Sequence, residues 1–220
     1  MLQPSRPGRY IAIYPPLLFA AWVVAWLIDL WLRAHFHWDT QIDTVYWIAM
    51  KLIVWVSPVF VVILTVERAN IAEFLDLRHP AQGVRWGLIV GAVLVAINYL
   101  GKTLPSGATL HIPSIALPFL NAVIVAPIVE EITLRGFVQK RLELNGHPFW
   151  TANFLTTIVF VTMHIPGWLF NGRVASPVGL LAPMIPIALP SLLFGWTKKR
   201  ADSLYASIIV HAINNLYSAL

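Results

Sequence analysis

The 220-residue chain contains no cysteine. That excludes a disulfide framework, a thiolate metal site and a cysteine nucleophile, and it leaves the redox compartment undetermined. Charge is scarce as well: Asp, Glu, Lys and Arg make up 11% of the residues, while hydrophobic types make up 58%. Such a composition cannot supply the solvated surface of a water-soluble domain, so the chain reads as a membrane protein. Missing too is the alternating apolar and polar pattern of a membrane barrel, which leaves helices as the spanning elements. No HExxH sequence occurs. The net charge of +5 matters through its distribution, and no nucleic-acid partner is expected. Nor is a removable leader expected, because Ile11 to Leu32 is too long for a signal core and lacks a small-residue cleavage site.

What is present is a series of long apolar runs. A helix needs about 20 apolar residues to cross hydrocarbon, and the candidate spans are Ile11 to Leu32, Val45 to Val66, Trp86 to Leu100, Pro113 to Phe137, Phe149 to His164, Gly179 to Thr197 and Leu204 to Leu220. The expected fold is therefore all-α, a polytopic transmembrane bundle of about seven spans, or eight with a re-entrant or interfacial helix. Asn70 to His79 has the mixed apolar and charged spacing of a short interfacial helix, with a plain loop as the alternative. Pro105 to Pro113 and Pro166 to Pro177 are expected as loops, and Pro183, Pro186 and Pro190 should kink the sixth span. Lys and Arg set the orientation. Arg6, Arg9, Arg68, Arg78, Arg85, Lys140, Arg141, Lys198, Lys199 and Arg200 fall on one side, against Arg33, Lys102 and Arg173 on the other. The amino terminus is thus expected in the cytoplasm. The ten Trp are expected as interfacial belts and core packing.

Ionisable groups inside apolar runs are costly, roughly 2.5 to 3.5 kcal/mol on insertion scales, and so mark function by default. Here they are Glu130, Glu131, Arg135, His164 and His211, accompanied by the amides Asn214 and Asn215. Glu131 and Arg135 are four apart and can pair on one helical face, whereas Glu130 points about 100° away. Phe160 and His164 share a face, as do His211 and Asn215. Counting about 1.5 Å per residue, Glu130 lies about 15 Å from Lys140, His164 about 22 Å from Phe149, and His211 about 13 to 17 Å from Asp202 or Arg200. A shared level is consistent with one buried polar site nearer the cytoplasm. Taken singly, each group has a structural reading: Glu131 and Arg135 as an ordinary pair, and His164, His211, Asn214 and Asn215 as helix-helix hydrogen bonds. Asp29 and Lys51 are expected to snorkel to the interfaces. Glu130, His164 and His211 would also be the ligands of a zinc site, the less favoured alternative to a metal-free one, because Asn215 is a poor zinc ligand.

The segments EEITLR (Glu130 to Arg135), FVTMH (Phe160 to His164) and HAINN (His211 to Asn215) resemble the EExxxR, FxxxH and HxxxN motifs of the CPBP family of intramembrane proteases, which includes the CAAX prenyl endopeptidases. Leu134 departs from the aromatic residue common before the Arg-Gly of that family. The resemblance covers roughly Asn121 to Tyr217 and divides one integrated membrane domain into variable helices over 1–110 and a catalytic core over 111–220. It implies that Glu130, acting with His164, activates a water that attacks a peptide carbonyl. His211 and Asn215 are then assigned to the oxyanion, Glu131 and Arg135 to support, with Phe160 beside them, and no cofactor is implied. The expected partners are membrane lipids and a membrane-associated or lipidated peptide substrate. A prokaryotic inner membrane is the expected location. Two other classes compete: a catalytically silent scaffold or immunity protein of the same fold, and a proton-coupled transporter, which the lack of paired broken helices disfavours.

Overall fold

The computed structural model describes residues 8–107, 109, 114–174 and 178–220. Arg6, Pro113 and Pro177, which carry parts of the expectations above, lie outside them. Eight helices follow in order: α1 (Tyr10–His35), α2 (Thr40–Glu67), α3 (Ile71–Phe74), α4 (Pro80–Ser106), α5 (Leu117–Leu144), α6 (Phe149–Phe170), α7 (Leu181–Ala201) and α8 (Leu204–Ala219). No strand occurs among the described residues. Five of the helices, α1, α2, α4, α5 and α6, are long and apolar enough to cross a membrane. The last two expected spans are helices as well, but α7 ends in Lys198, Lys199 and Arg200 and α8 has 16 residues. At about 1.5 Å per residue α8 falls short of a hydrocarbon core of about 30 Å.

Local sequence explains several boundaries. Asp39 caps α2 by accepting from the Gln41 and Ile42 amides at 2.8 Å each, and Asn70 caps α3 by accepting from the Glu73 amide. The expected interfacial segment is thus a one-turn helix. Two expected loops are partly helical: α4 runs to Ser106, and α6 passes through Pro166 to Phe170. A proline removes one backbone donor, and a helix packed among neighbours tolerates that loss. For the same reason Pro186 and Pro190 sit within an unbroken α7. Parts of α2, α4 and α5 wind with the wider π turn, including Ile132–Gln139 directly after the paired glutamates. Such turns recur at functional sites.

Burial is inverted relative to a soluble protein. Ile53, Leu64, Val93, Ile97 and Phe154 face outward, whereas Glu131, Arg135, Gln139, Arg141, Asn153 and Ser191 are buried. Apolar groups outside and paired polar groups inside suit a lipid solvent. The contact of α4 with α8 is made close by Gly83, Gly87 and Gly91, spaced four apart. A Cβ on Gly87 would lie 2.7 Å from the Ile209 Cβ, and one on Gly91 would run into the Ile213 side chain. Small residues at this spacing let helix backbones approach.

Two expected snorkelling residues do not snorkel. Asp29 is 1% exposed and its carboxylate accepts from Arg33 Nε at 2.8 Å, with Arg33 reaching on to Asp43. This pairing closes the α1 to α2 corner and satisfies the charge internally. Lys51 donates from Nζ to Asn121 Oδ1 at 2.8 Å, joining α2 to α5.

Candidate active site

The site is assembled by α5, α6, α7 and α8 around a fully buried ion pair. Glu131 Oε1 accepts from Arg135 Nη1 at 3.0 Å, with neither side chain exposed. The i to i+4 spacing makes this pair, and the neighbours keep it dry. Arg135 Nη2 also donates to the Ser191 carbonyl at 2.9 Å and to Ser191 Oγ at 2.5 Å on α7. Its guanidinium lies 4.9 Å from the Phe160 ring centroid and 5.6 Å from that of Phe194. Phe160 therefore supports the pair directly, and its ring also meets His164 at 4.8 Å and His211 at 5.7 Å. Leu134, the departure from the motif, is fully buried in the apolar core.

The two histidines are held differently. His211 Nδ1 lies 2.9 Å from Glu131 Oε1, and its ring stacks on Phe194 at 4.5 Å. A carboxylate opposite Nδ1 assigns the proton there, which turns Nε2 toward Glu130 Oε2 at 3.8 Å. One imidazole thus stands between both glutamates. His164 Nδ1 lies 2.8 Å from the Phe160 carbonyl, so that nitrogen is the donor and Nε2 carries the free lone pair.

Glu130 is the partly open member, with 14% of its side chain exposed. Glu130 and His164 line two cavities that meet at them. One, of about 310 Å³, is also lined by Pro186, Pro190, Phe194, His211, Asn214 and Asn215. The other, of about 200 Å³, is walled by Trp22, Trp26, Trp55 and Trp168 and reaches Arg173. These tryptophans are more than the belts and packing expected of them. His164 lies six residues from the Phe170 end of α6 and farther from its Phe149 start, so this second cavity lies toward the end opposite Lys140 and Lys198.

Asn215 lines the larger cavity but is already engaged, donating from Nδ2 to the Ala122 carbonyl at 2.9 Å. An amide nitrogen carries two hydrogens, which leaves one for another acceptor. Asn214 donates weakly to Asn215 Oδ1 at 3.4 Å. Among the described residues no group of three His, Asp or Glu side chains is arranged to hold a metal ion. His211 Nδ1 faces Glu131, and its Nε2 stands 3.8 Å from the Glu130 carboxylate. Lys51 and Trp22 escaped sequence reasoning. The nearest signals were a lysine within an apolar run and a tryptophan-rich first span. Trp22 donates from Nε1 to the Met163 carbonyl at 3.1 Å, beside His164.

Comparison with known protein families matches residues 112–217 to the family described as type II CAAX prenyl endopeptidase Rce1-like. Comparisons with curated proteins and with solved structures give no match. The matched stretch holds Glu130, Glu131, Arg135, Phe160, His164, His211 and Asn215. Through residues 112–217 the chain belongs to the Rce1-like, type II CAAX prenyl endopeptidase family of CPBP membrane proteases.

Proposed function

We propose that the protein is a glutamate-dependent intramembrane endopeptidase that cleaves a membrane-associated or lipidated peptide. The carrying observation is that Glu130 and His164 share both cavities while His211 joins Glu130 to the buried Glu131 and Arg135 pair. Glu130 takes a proton from a water seated between it and the His164 Nε2 lone pair, and the resulting hydroxide attacks the peptide carbonyl. The carbonyl oxygen, now negative, accepts hydrogen bonds from His211 Nε2 and the spare Asn215 N–H. His211 can donate from Nε2 only as an imidazolium, because Nδ1 already donates to Glu131. Glu131 stabilises that cation, and Arg135 keeps the whole cluster near electrical balance. Glu130 then returns the proton to the leaving amine as the C–N bond breaks. Residues of 1–110 supply one wall of the tryptophan cavity, and the catalytic set comes from 111–220. The proposed setting is a prokaryotic inner membrane with the end bearing Lys140, Lys198, Lys199 and Arg200 in the cytoplasm.

The test is cleavage of a farnesylated peptide ending in Cys-Val-Ile-Met by purified protein in detergent. Glu130→Gln should lower kcat by about 100-fold or more while leaving thermal unfolding unchanged, and a chelator should have no effect. Cleavage that survives this substitution would overturn the assignment.

A further inference from the structure

Where the start of α6 meets the end of α7, a further cavity of about 290 Å³ is lined by Phe149, Trp150, Trp196, Lys199 and Arg200. That volume is near the lower limit of small-ligand pockets, about 300 to 1,000 Å³. Two cations and three aromatic side chains line it, and no carboxylate does. Aromatic rings hold the cations in place: Arg200 Cζ lies 5.2 Å from the Trp86 centroid and Lys199 Nζ lies 5.8 Å from that of Phe149. Lys199 also meets Glu143 Oε2 at 3.4 Å, an exposed contact that leaves other ammonium hydrogens available. Among the described residues no carboxylate pairs with Arg200. A guanidinium fork beside an ammonium matches the oxygens of a phosphodiester.

Away from the two cations the surface turns apolar. Trp150, Phe154 and Ile158 are exposed at four-residue spacing on α6, and Leu189 is exposed on α7, seven residues before Trp196 and on the same face. From Trp150 to Ile158 the helix rises about 12 Å, most of one leaflet of a hydrocarbon core about 30 Å thick. An anion-binding head with an apolar track leading from it fits an amphiphile better than a free phosphate. We infer that this pocket between α6 and α7 binds one anionic phospholipid, its phosphodiester on Arg200 and Lys199 and an acyl chain along Trp150, Phe154 and Ile158. None of the lining residues is shared with the cavities at Glu130, so the inference does not depend on the endopeptidase reading.

The experiment titrates purified protein in a neutral detergent with phosphatidylglycerol or with phosphatidylcholine of the same acyl chains, and native mass spectrometry counts the bound lipid. One basic group near a membrane surface is worth about 5-fold in affinity for anionic lipid, so the wild type should hold one phosphatidylglycerol about 10- to 30-fold more tightly than phosphatidylcholine. Lys199→Gln combined with Arg200→Gln should cut that preference below about 3-fold. Arg78→Gln, which removes an exposed charge outside the pocket, should leave it intact. Trp150→Ala should weaken both lipids alike, and unchanged binding would overturn the placement of the acyl chain. Equal affinity of the wild type for the two lipids overturns the inference, as does an equal loss in Arg78→Gln, which would reduce the effect to general surface charge. So does displacement of the lipid by glycerol phosphate at equal concentration, the mark of a free-phosphate site, or by a glutamate-rich peptide, the mark of a protein contact. If the double variant does not fold, Arg200→Gln alone is read, with a loss of about 5-fold expected and no loss overturning the site.

Discussion

Neighbouring glutamates carry opposite burdens. Glu131 has no exposed surface and holds both Arg135 and His211, while Glu130 keeps a partly open face on two cavities. Removing Glu131 strands a guanidinium that is itself fully buried, and breaking such a pair costs about 3 to 5 kcal/mol. Glu131→Gln should therefore lower the thermal midpoint in detergent by many degrees, whereas Glu130→Gln should not. A Glu131→Gln protein as stable as the wild type would show that the pair does not hold the bundle. Half of this division was visible in the sequence, because residues four apart share a helical face however the helix packs. The bond from His211 to Glu131 joins positions 80 apart and depends on how α8 meets α5, which local spacing does not encode. Lys51 misled for a similar reason: near a span end it looked interfacial, and only the arrival of Asn121 on another helix gives its ammonium a partner.

At the level of helices, the glycines of α4 place His211. Gly87 faces Ile209 and the Ala206 carbonyl, which belong to the same helix as His211. A larger side chain there pushes α8 away from α4 and moves the imidazole relative to Glu131. Overpacking of this kind costs about 1 to 3 kcal/mol. Gly87→Val should lower both the unfolding temperature and kcat, while Gly101→Ala, where an added Cβ meets nothing within 4 Å, should leave both unchanged. Equal effects from the two would deny the close contact its role. The glycine spacing was present in the sequence, but a stripe of small residues does not name the helix that will cover it. The proline-bearing segments were legible only in part, because Pro166 and Pro186 mark lost donors and do not by themselves break helices packed among others.

Across the whole molecule, most Lys and Arg gather at one end. Asp76 meets Lys140 Nζ at 2.7 Å and Lys198 Nζ at 2.8 Å, and its carbonyl accepts from the Leu204 amide at 3.0 Å. The Asp76 carboxylate thus ties α5 to α7, and its backbone carbonyl holds the start of α8. Burial alone would raise its pKa, but the ammonium groups of Lys198 and Lys140 outweigh that and hold it below the usual aspartate value. An acid depressed in the folded state stabilises at pH values above its unfolded pKa of about 3.9, and the stability is lost as pH falls through the lowered value. Unfolding followed from pH 7 down to pH 2 should show the wild type losing stability in acid. Asp76→Asn should be weaker at neutral pH and flatter in acid, and parallel profiles would remove this clasp from the account. The amino-terminal part is fastened to the matched region as well, with the Gly8 amide donating to Asn145 Oδ1 at 3.2 Å and Arg141 Nη1 donating to Glu67 at 3.3 Å. The tryptophan recess straddles that seam: Trp22, Trp26 and Trp55 come from before residue 112, and Glu130, His164, Trp168 and Arg173 from after it. In the proposed endopeptidase the reacting groups thus come from the later stretch alone while the recess draws on both, so exchanging the first helices should change which peptides are tailored and leave the blade as it is.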